Sequence, residues 1–388
     1  MKNATFDVRA LTRENFYAVL EPLARKEGEL MLYNSAGGFE DIWKNGLIPR
    51  FEARYGVRVR YRNVRNGLAN QQLIAVHKVR QNSPADVYLA GSSDNFAALS
   101  RNGVIADLDL GALLPELATV PRALTEVVFG VRTRGTWPVV HVGQTAIGYD
   151  SAVLPADQVP RSYEELLRWA QRNPGRFVMT SPAKGGAGGA FLFSAALHFA
   201  PDDACRTKLY RTQASPEDAR SWAMSDPCLE AAWIYLRSLM KVSELANGNA
   251  DTLNLINNGQ ATIGTVWEDQ VLRFQRAQLV PPSLRLTLLA SGEAASGDGL
   301  IVPANTTHPA AALLFIDMAF GKEFQAWKLA TYGSRSLRPD VRAEQVLSTE
   351  TAALMVPAAQ YEKLSVPMNW AAARALTTAF EDKVLSQR

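Results

Sequence analysis

A short apolar run that stops at glycines and resumes as a helical pattern is what most narrows the folds open to this chain. Leu30-Met31-Leu32-Tyr33 reads as a strand and Asn34-Ser35-Ala36-Gly37-Gly38 as a glycine loop, after which Ile42, Trp43, Leu47, Ile48 and Phe51 recur at helical spacing. Val57-Arg58-Val59-Arg60-Tyr61 then alternates apolar and basic residues, the period-two mark of a strand with one wet face or an edge position. The three segments predict a βαβ unit. Asp86-Val87-Tyr88-Leu89-Ala90 supplies another strand, with Ser92-Ser93-Asp94 placed to cap the helix behind it and Gly103 to close that helix. Later, Phe177-Val178-Met179-Thr180, a glycine loop over 184–189 and an apolar helix over 191–199 repeat the same succession. Strands alternating with helices make an α/β protein whose sheets are mostly parallel and flanked by helices.

Length divides this pattern in two. Single hydrophobic cores stop growing near ~250–300 residues, and the chain has 388. Its first lobe is expected over 1–140 plus 300–330 and its second over 145–298 plus 335–388. Hinge crossings are expected near 139–147, 298–303 and 330–335. Trp137-Pro138-Val139-Val140 and the strand-like Thr145-Ala146-Ile147-Gly148-Tyr149 mark the first of these. Ser162-Tyr163-Glu164-Glu165 is a capping box that opens a helix of the second lobe. Ala261-Thr262-Ile263-Gly264-Thr265-Val266 delivers Trp267-Glu268-Asp269, and Leu300-Ile301-Val302-Pro303 is a return strand with Pro309 in the first turn of the next helix. Residues 340–388 read as ordinary amphipathic helix that packs.

Charge and hydropathy exclude several classes. Lysine plus arginine number 41 against 38 acids, without a run of like charge that would grip nucleic acid. Hydrophobic residues at 47% and charged ones at 20% argue against disorder. The apolar stretches fall short of the ~20 residues that span a bilayer. The N-terminus lacks the basic start and apolar run of an export signal, which leaves a removed signal or a cytosolic protein, and removal is the expectation. Cys205 and Cys228 show neither a CxxC spacing nor a His pair for zinc, so they are either one disulfide or two unrelated thiols.

In order, these segments resemble the extracellular solute-binding proteins of bacterial ABC importers, in the broad branch that takes polyamines, thiamine, iron and maltose. The resemblance runs from about Gly28 to about Pro339. Its most characteristic pieces are Ser35-Ala36-Gly37-Gly38 after the first strand, and Asp86-Val87-Tyr88 followed by Leu99 and Gly103. To these are added Asn258-Gly259-Gln260-Ala261 leading to Trp267, and Val302-Pro303-Ala304-Asn305 with His308-Pro309-Ala310-Ala311. The resemblance implies a two-lobed periplasmic-binding-protein-like fold of type II, a ligand cleft between the lobes and closure by hinge motion. It also implies a periplasmic or lipoprotein location and an ABC permease and ATPase as partners; a monomer without a cofactor is the expectation.

Candidate contacts follow from local chemistry. Ser35, Gly37 and Gly38 end a strand where a helix begins, so free amides there suit a polar or anionic group. Ser93 and Asp94 occupy the next such junction. Lys184, Gly188 and Gly189 offer a similar set in the second lobe, without the ending of a phosphate-binding NTPase loop or the spacing of a dinucleotide fingerprint. Trp267 presents a broad apolar face and one donor. Glu268, Asp269, Asp94, Glu40 and Asp298 could instead ring a cation, which leaves the sign of the ligand's charge open. Trp137, His141 and Gln144 flank the first crossing, and Ser334 and Arg335 reach toward the site from the C-terminal side.

Catalytic signatures are missing from the sequence. The four histidines form no HExxH, and no GxSxG elbow occurs. Ferric binders of the resembled group use adjacent tyrosines, absent here, so iron is not the expected ligand and no metal site is expected. Two rivals remain: a thiaminase-like transferase on the same fold, which needs a low-pKa cysteine thiolate, and a solute sensor for a signalling partner.

Overall fold

In the computed structural model, which describes residues 4, 6–35, 39–211 and 215–387, the chain forms two separately cored units. Unit 1 comprises 1–142 and 297–346, and unit 2 comprises 143–296 and 347–388. Two strands, Val139–Asp150 and Glu293–Ile301, carry the chain across the first two boundaries. The third crossing lies at 346/347 rather than at the expected 330–335. Residues beyond 335 stay with unit 1 because Arg335 pairs with Val142 and Arg338 is anchored there. The Arg338 guanidinium donates to the Glu116 carboxylate at 2.7 Å and to the Phe320 carbonyl at 2.8 Å.

Unit 1 is a sheet between two helical layers. Glu29–Asn34 is its hub, pairing in parallel with Arg58–Asn63 on one side and with Val87–Gly91 on the other. The unit-1 end of Glu293–Ile301 runs antiparallel beside Val87–Gly91, placing Asp298 opposite Gly91. Alternation along the hub divides the core: Leu30 and Leu32 pack with Trp43, Phe51 and Phe315, while Tyr33 packs on the other face with Tyr88, Phe96 and Trp137. One helix had no signal strong enough to read. Phe16–Glu27 buries Phe16, Leu20 and Ala24, and Gly28 at φ 76° closes it in the left-handed conformation. The Glu27 carboxylate accepts from the amides of Ala310 and Ala311 at 3.0 and 2.8 Å, satisfying the open end of helix Pro309–Ala319.

Unit 2 has parallel strands Glu244–Ala246, Phe177–Thr180 and Ile263–Trp267 side by side. Its end of Val139–Asp150 is antiparallel to Ile263–Trp267 and to Leu284–Thr287. Helices Tyr163–Arg172, Gly186–His198 and Glu230–Met240 cover the sheet together with Trp370–Lys383. Ser162 caps the first of these by accepting from the Glu165 amide at 3.2 Å, and the Glu165 carboxylate reaches back to the Arg161 amide at 2.8 Å. That reciprocal bond falls one residue earlier than a standard capping box. Residues 340–388, expected to be helix throughout, include a strand, Ser365–Pro367, which pairs in parallel with Glu293, Ala294 and Ala295. Cys205 and Cys228 are bonded to each other, which settles the alternative left open by their spacing.

Candidate functional site

In unit 1 the strand ends carry the polar groups. Ser35, directly after the hub strand, donates to the Leu89 carbonyl at 2.6 Å and so ties together two neighbouring strand termini. Gly37 and Gly38 lie outside the described residues. At the next junction Ser92 takes a positive φ of 86°; its hydroxyl donates to Asp94 at 2.5 Å and accepts from Asn95 at 2.8 Å. Ser93 then opens helix Ser93–Arg101 with only 1% exposure. Its hydroxyl is buried without a hydrogen-bond partner among the described residues, an unmet polar group at the start of a helix. Glu40, a candidate for holding a cation, is paired with Lys44.

Trp137 does not join this set. It is fully buried with its ring stacked on Phe96 at 5.2 Å between centroids, and that core position removes it from the surface a solute can touch. His141 and Ser334 are bonded to each other, with Phe39 against the imidazole at 3.9 Å. Lys328 completes the group, a residue whose helical setting offered no sequence signal. Its ammonium, on a side chain of a residue only 1% exposed, donates to Ser334 at 2.9 Å and to the carbonyls of Val140 and Arg335 at 2.6 and 3.0 Å. Serine, histidine and lysine in contact suggest a nucleophile with its bases, but Ser334 is wholly buried. The cluster instead fixes 334–335 against the first crossing strand, and Arg335 contributes its backbone there, donating to the Val142 carbonyl at 3.1 Å.

In unit 2 the expected glycine loop is shorter than its composition suggests. Helix Gly186–His198 begins inside it, so Gly188 and Gly189 are buried helical residues. A Cβ on Gly188 would stand 2.0 Å from the Thr180 carbonyl oxygen, so this glycine lets helix and strand touch. Lys184 is exposed just before the helix. Two indoles flank Gly186: a Cβ there would lie 3.3 Å from Trp267 and 3.2 Å from Trp370. Trp370 donates to the Ser296 hydroxyl at 2.5 Å, whereas the half-buried Trp267 keeps its indole N–H beside the amide end of the helix. Trp370 was absent from the sequence reading; its place opening a helix after an Asn cap was the available clue.

The acids after Trp267 are used by the fold. Glu268 and Asp269 form the first turn of helix Glu268–Arg276 and are buried. The Glu268 carboxylate accepts from the Val356 amide at 2.7 Å. Burial pushes the Asp269 carboxyl up to about 6, with Arg273 opposing the shift from 3.6 Å. Neither lies open to ring a cation as expected. Gln144 is fully buried and knits unit 2, donating to the carbonyls of Thr145 and Glu293 at 2.8 and 3.1 Å and accepting from Ser365 at 2.6 Å. What remains in unit 2 is a small donor set, the Gly186 amide, the Trp267 indole N–H and the exposed Lys184 ammonium, because the Ala187 amide is taken by the Asn249 side chain at 3.2 Å and the Gly188 amide by the Gly185 carbonyl at 3.2 Å; the set suits an anionic or strongly polar group on a flat apolar frame. Among the described residues no three of His, Cys, Asp and Glu converge to hold a metal ion.

Comparison with known proteins supplies the wider setting. The sequence model of the bacterial extracellular solute-binding proteins matches residues 46–356. No curated protein matches the chain in sequence. Among solved structures, a Bordetella parapertussis protein assigned to the extracellular solute-binding proteins is similar with a TM-score of 0.68 at 16% identity, over 92% of this chain and 99% of that one. An ABC transporter protein from Clostridium perfringens gives 0.67 at 16% over the same shares. The periplasmic binding protein AfuA from Actinobacillus pleuropneumoniae, holding fructose-6-phosphate, gives 0.59 at 15% over 92% and 99%. At such identities the likeness concerns the fold.

Proposed function

Because the chain belongs to the bacterial extracellular solute-binding proteins, we propose that it is the solute-capturing subunit of an ABC importer, delivering a small charged organic solute to an inner-membrane permease. The observation that carries this reading is the build of the chain, two separately cored units strung on crossing segments. Such a build lets binding energy shift a hinge equilibrium toward a closed form that a permease can recognise.

The solute carries an anionic group. Glu268 and Asp269 are committed to the fold, whereas the Gly186 helix end, the Trp267 indole and Lys184 offer donors and positive charge. Ser35, Asp94 and Asp298 are the proposed contacts in unit 1, the two carboxylates as acceptors for hydroxyl groups of the solute and not for its anionic group. Lys184, Gly186, Trp267 and Trp370 are those in unit 2. The phosphate ester held by AfuA is a precedent for this chemistry on the same fold. The periplasm is the proposed location, supported by the family and by the Cys205–Cys228 disulfide, a bond that persists in oxidising compartments. The same bond occupies both cysteines and so deprives the transferase alternative of its nucleophile.

The test is a thermal-melt screen against organic phosphates, carboxylates, sulfonates, amines and sugars. A solute at 100 times its Kd stabilises by about 2.7 kcal/mol. One anionic class is expected to raise Tm saturably without being consumed, and Trp267→Ala to abolish the rise while lowering the ligand-free Tm by a few degrees, because the half-buried indole packs on the unit 2 core. Stabilisation by amines alone sinks the anionic assignment, and turnover of the solute sinks the transport reading.

A further inference from the structure

The strand Arg58–Asn63 closes one side of the unit 1 sheet, paired with Glu29–Asn34 along its length and with no strand on its other edge among the described residues. The parallel register, with the Arg58 amide on the Gly28 carbonyl at 3.0 Å and the Val64 amide on the Asn34 carbonyl at 2.8 Å, commits the even-numbered residues inward. Val59, Tyr61 and Asn63 therefore turn their backbone groups outward. The Val59 N–H is taken by the Glu52 carboxylate at 2.8 Å, which leaves the outward groups of Tyr61 and Asn63 as an open edge. Such an edge is a template for a further strand.

Its side chains select what can pair there. Arg58, Arg60 and Arg62 share one face and are all exposed, with exposed Arg65 just beyond. Arg60 pairs with Glu29 at 2.8 Å, while Arg58 and Arg62 have no carboxylate partner among the described residues. On the other face Val59 and Tyr61 are half-buried against the core, and Lys44, itself paired with Glu40, lies 5.1 Å over the Tyr61 ring. A second copy of the strand would set arginine against arginine, and like charges directly opposite are destabilising. The ladder that blocks self-pairing is complementary to the opposite sign.

The geometry points to an acidic extended segment of a partner protein, with carboxylates at alternate positions and apolar residues between them, adding as a strand to the outer edge of Arg58–Asn63. Alternate residues of a strand stand about 6.6–6.8 Å apart, so carboxylates at that spacing meet the arginines in turn while the intervening side chains cover Val59 and Tyr61. An anionic lipid surface would engage the arginines but leave the backbone edge unmet.

The probe is a fluorescein-labelled peptide alternating valine and glutamate, titrated with the full chain at low salt and read by anisotropy. Arg58→Glu with Arg62→Glu is expected to weaken binding about tenfold or more. Asn63→Pro keeps every charge and every bond to the neighbouring strand, because it removes an outward N–H, and is expected to weaken binding about fivefold. Unchanged melting temperatures show that both variants fold. A peptide of the same composition with its glutamates in one block should bind about tenfold more weakly. The proposal is overturned if Asn63→Pro binds like the parent, if the block peptide binds as well as the alternating one, or if phosphatidylglycerol vesicles bind the protein while the peptide does not.

Discussion

Removing the bond between Cys205 and Cys228, by reduction or as Cys205→Ala with Cys228→Ala, should destabilise unit 2 and leave unit 1 alone. The two residues are 23 apart in sequence, and both belong to unit 2. Closing a loop of that length removes about 11 cal/mol/K from the unfolded chain, or about 3 kcal/mol at 25 °C. The sulfurs sit with Ala200 in a small apolar cluster of their own, so the loop-closure contribution is the larger part of what is lost. For a unit of this size each kcal/mol moves the midpoint by about 2–4 °C, so its transition should fall by about 6–12 °C. Differential scanning calorimetry with and without reductant reads this, with a thiol titration to show that both sulfurs are free. An unmoved transition once both thiols titrate would refute the chain-entropy reasoning, and a fall in both transitions would refute its confinement to unit 2.

Burial in the core of unit 2 pushes the Glu293 carboxyl up to about 8, with the Tyr163 hydroxyl 3.3 Å from it. In the unfolded chain it titrates at an ordinary carboxylate value, so the folded form holds the extra proton in between and stability falls as pH rises from about 5 to about 8, by at most about 1.4 kcal/mol per unit. Glu293→Gln should flatten that slope in urea unfolding; an equal slope in the variant would place the dependence elsewhere. Gly188→Ala should cost about 3 kcal/mol or prevent folding, because the new methyl meets the Thr180 carbonyl. A loss in urea unfolding of less than about 1 kcal/mol would mean that the helix slides freely on its strand.

Much of the architecture was legible because its signals are local. The hub strand, the arginine-alternating edge strand and the helix opened by Pro309 each announce themselves through period and punctuation. What escaped depends on distant partners. Helix Phe16–Glu27 contains Pro22 and finds its stability against Pro309–Ala319. The burial of Lys328 is explicable only once Val140, Ser334 and Arg335 surround it. The glycine loop over 184–189 was expected to present free amides to a ligand, whereas Gly188 is there for its missing Cβ. Glu268 and Asp269 looked like ligand acids because they follow Trp267, but an acid in the first turn of a helix also complements the helix dipole.

The interleaving of the two units has a consequence for biosynthesis. Val87–Gly91 must wait for its antiparallel neighbour, since Asp298, Gly299, Leu300 and Ile301 leave the ribosome some 200 residues later. At about 5–20 residues per second that interval is about 10–40 s, during which an apolar strand of the nascent chain has one side unpaired. Unit 2 in turn cannot seat helix Trp370–Lys383 until the last segment of unit 1 has left the ribosome. Each unit stays incomplete while the segment of the other that interrupts it is being made, which exposes the nascent polypeptide to any holdase that recognises unpaired strands.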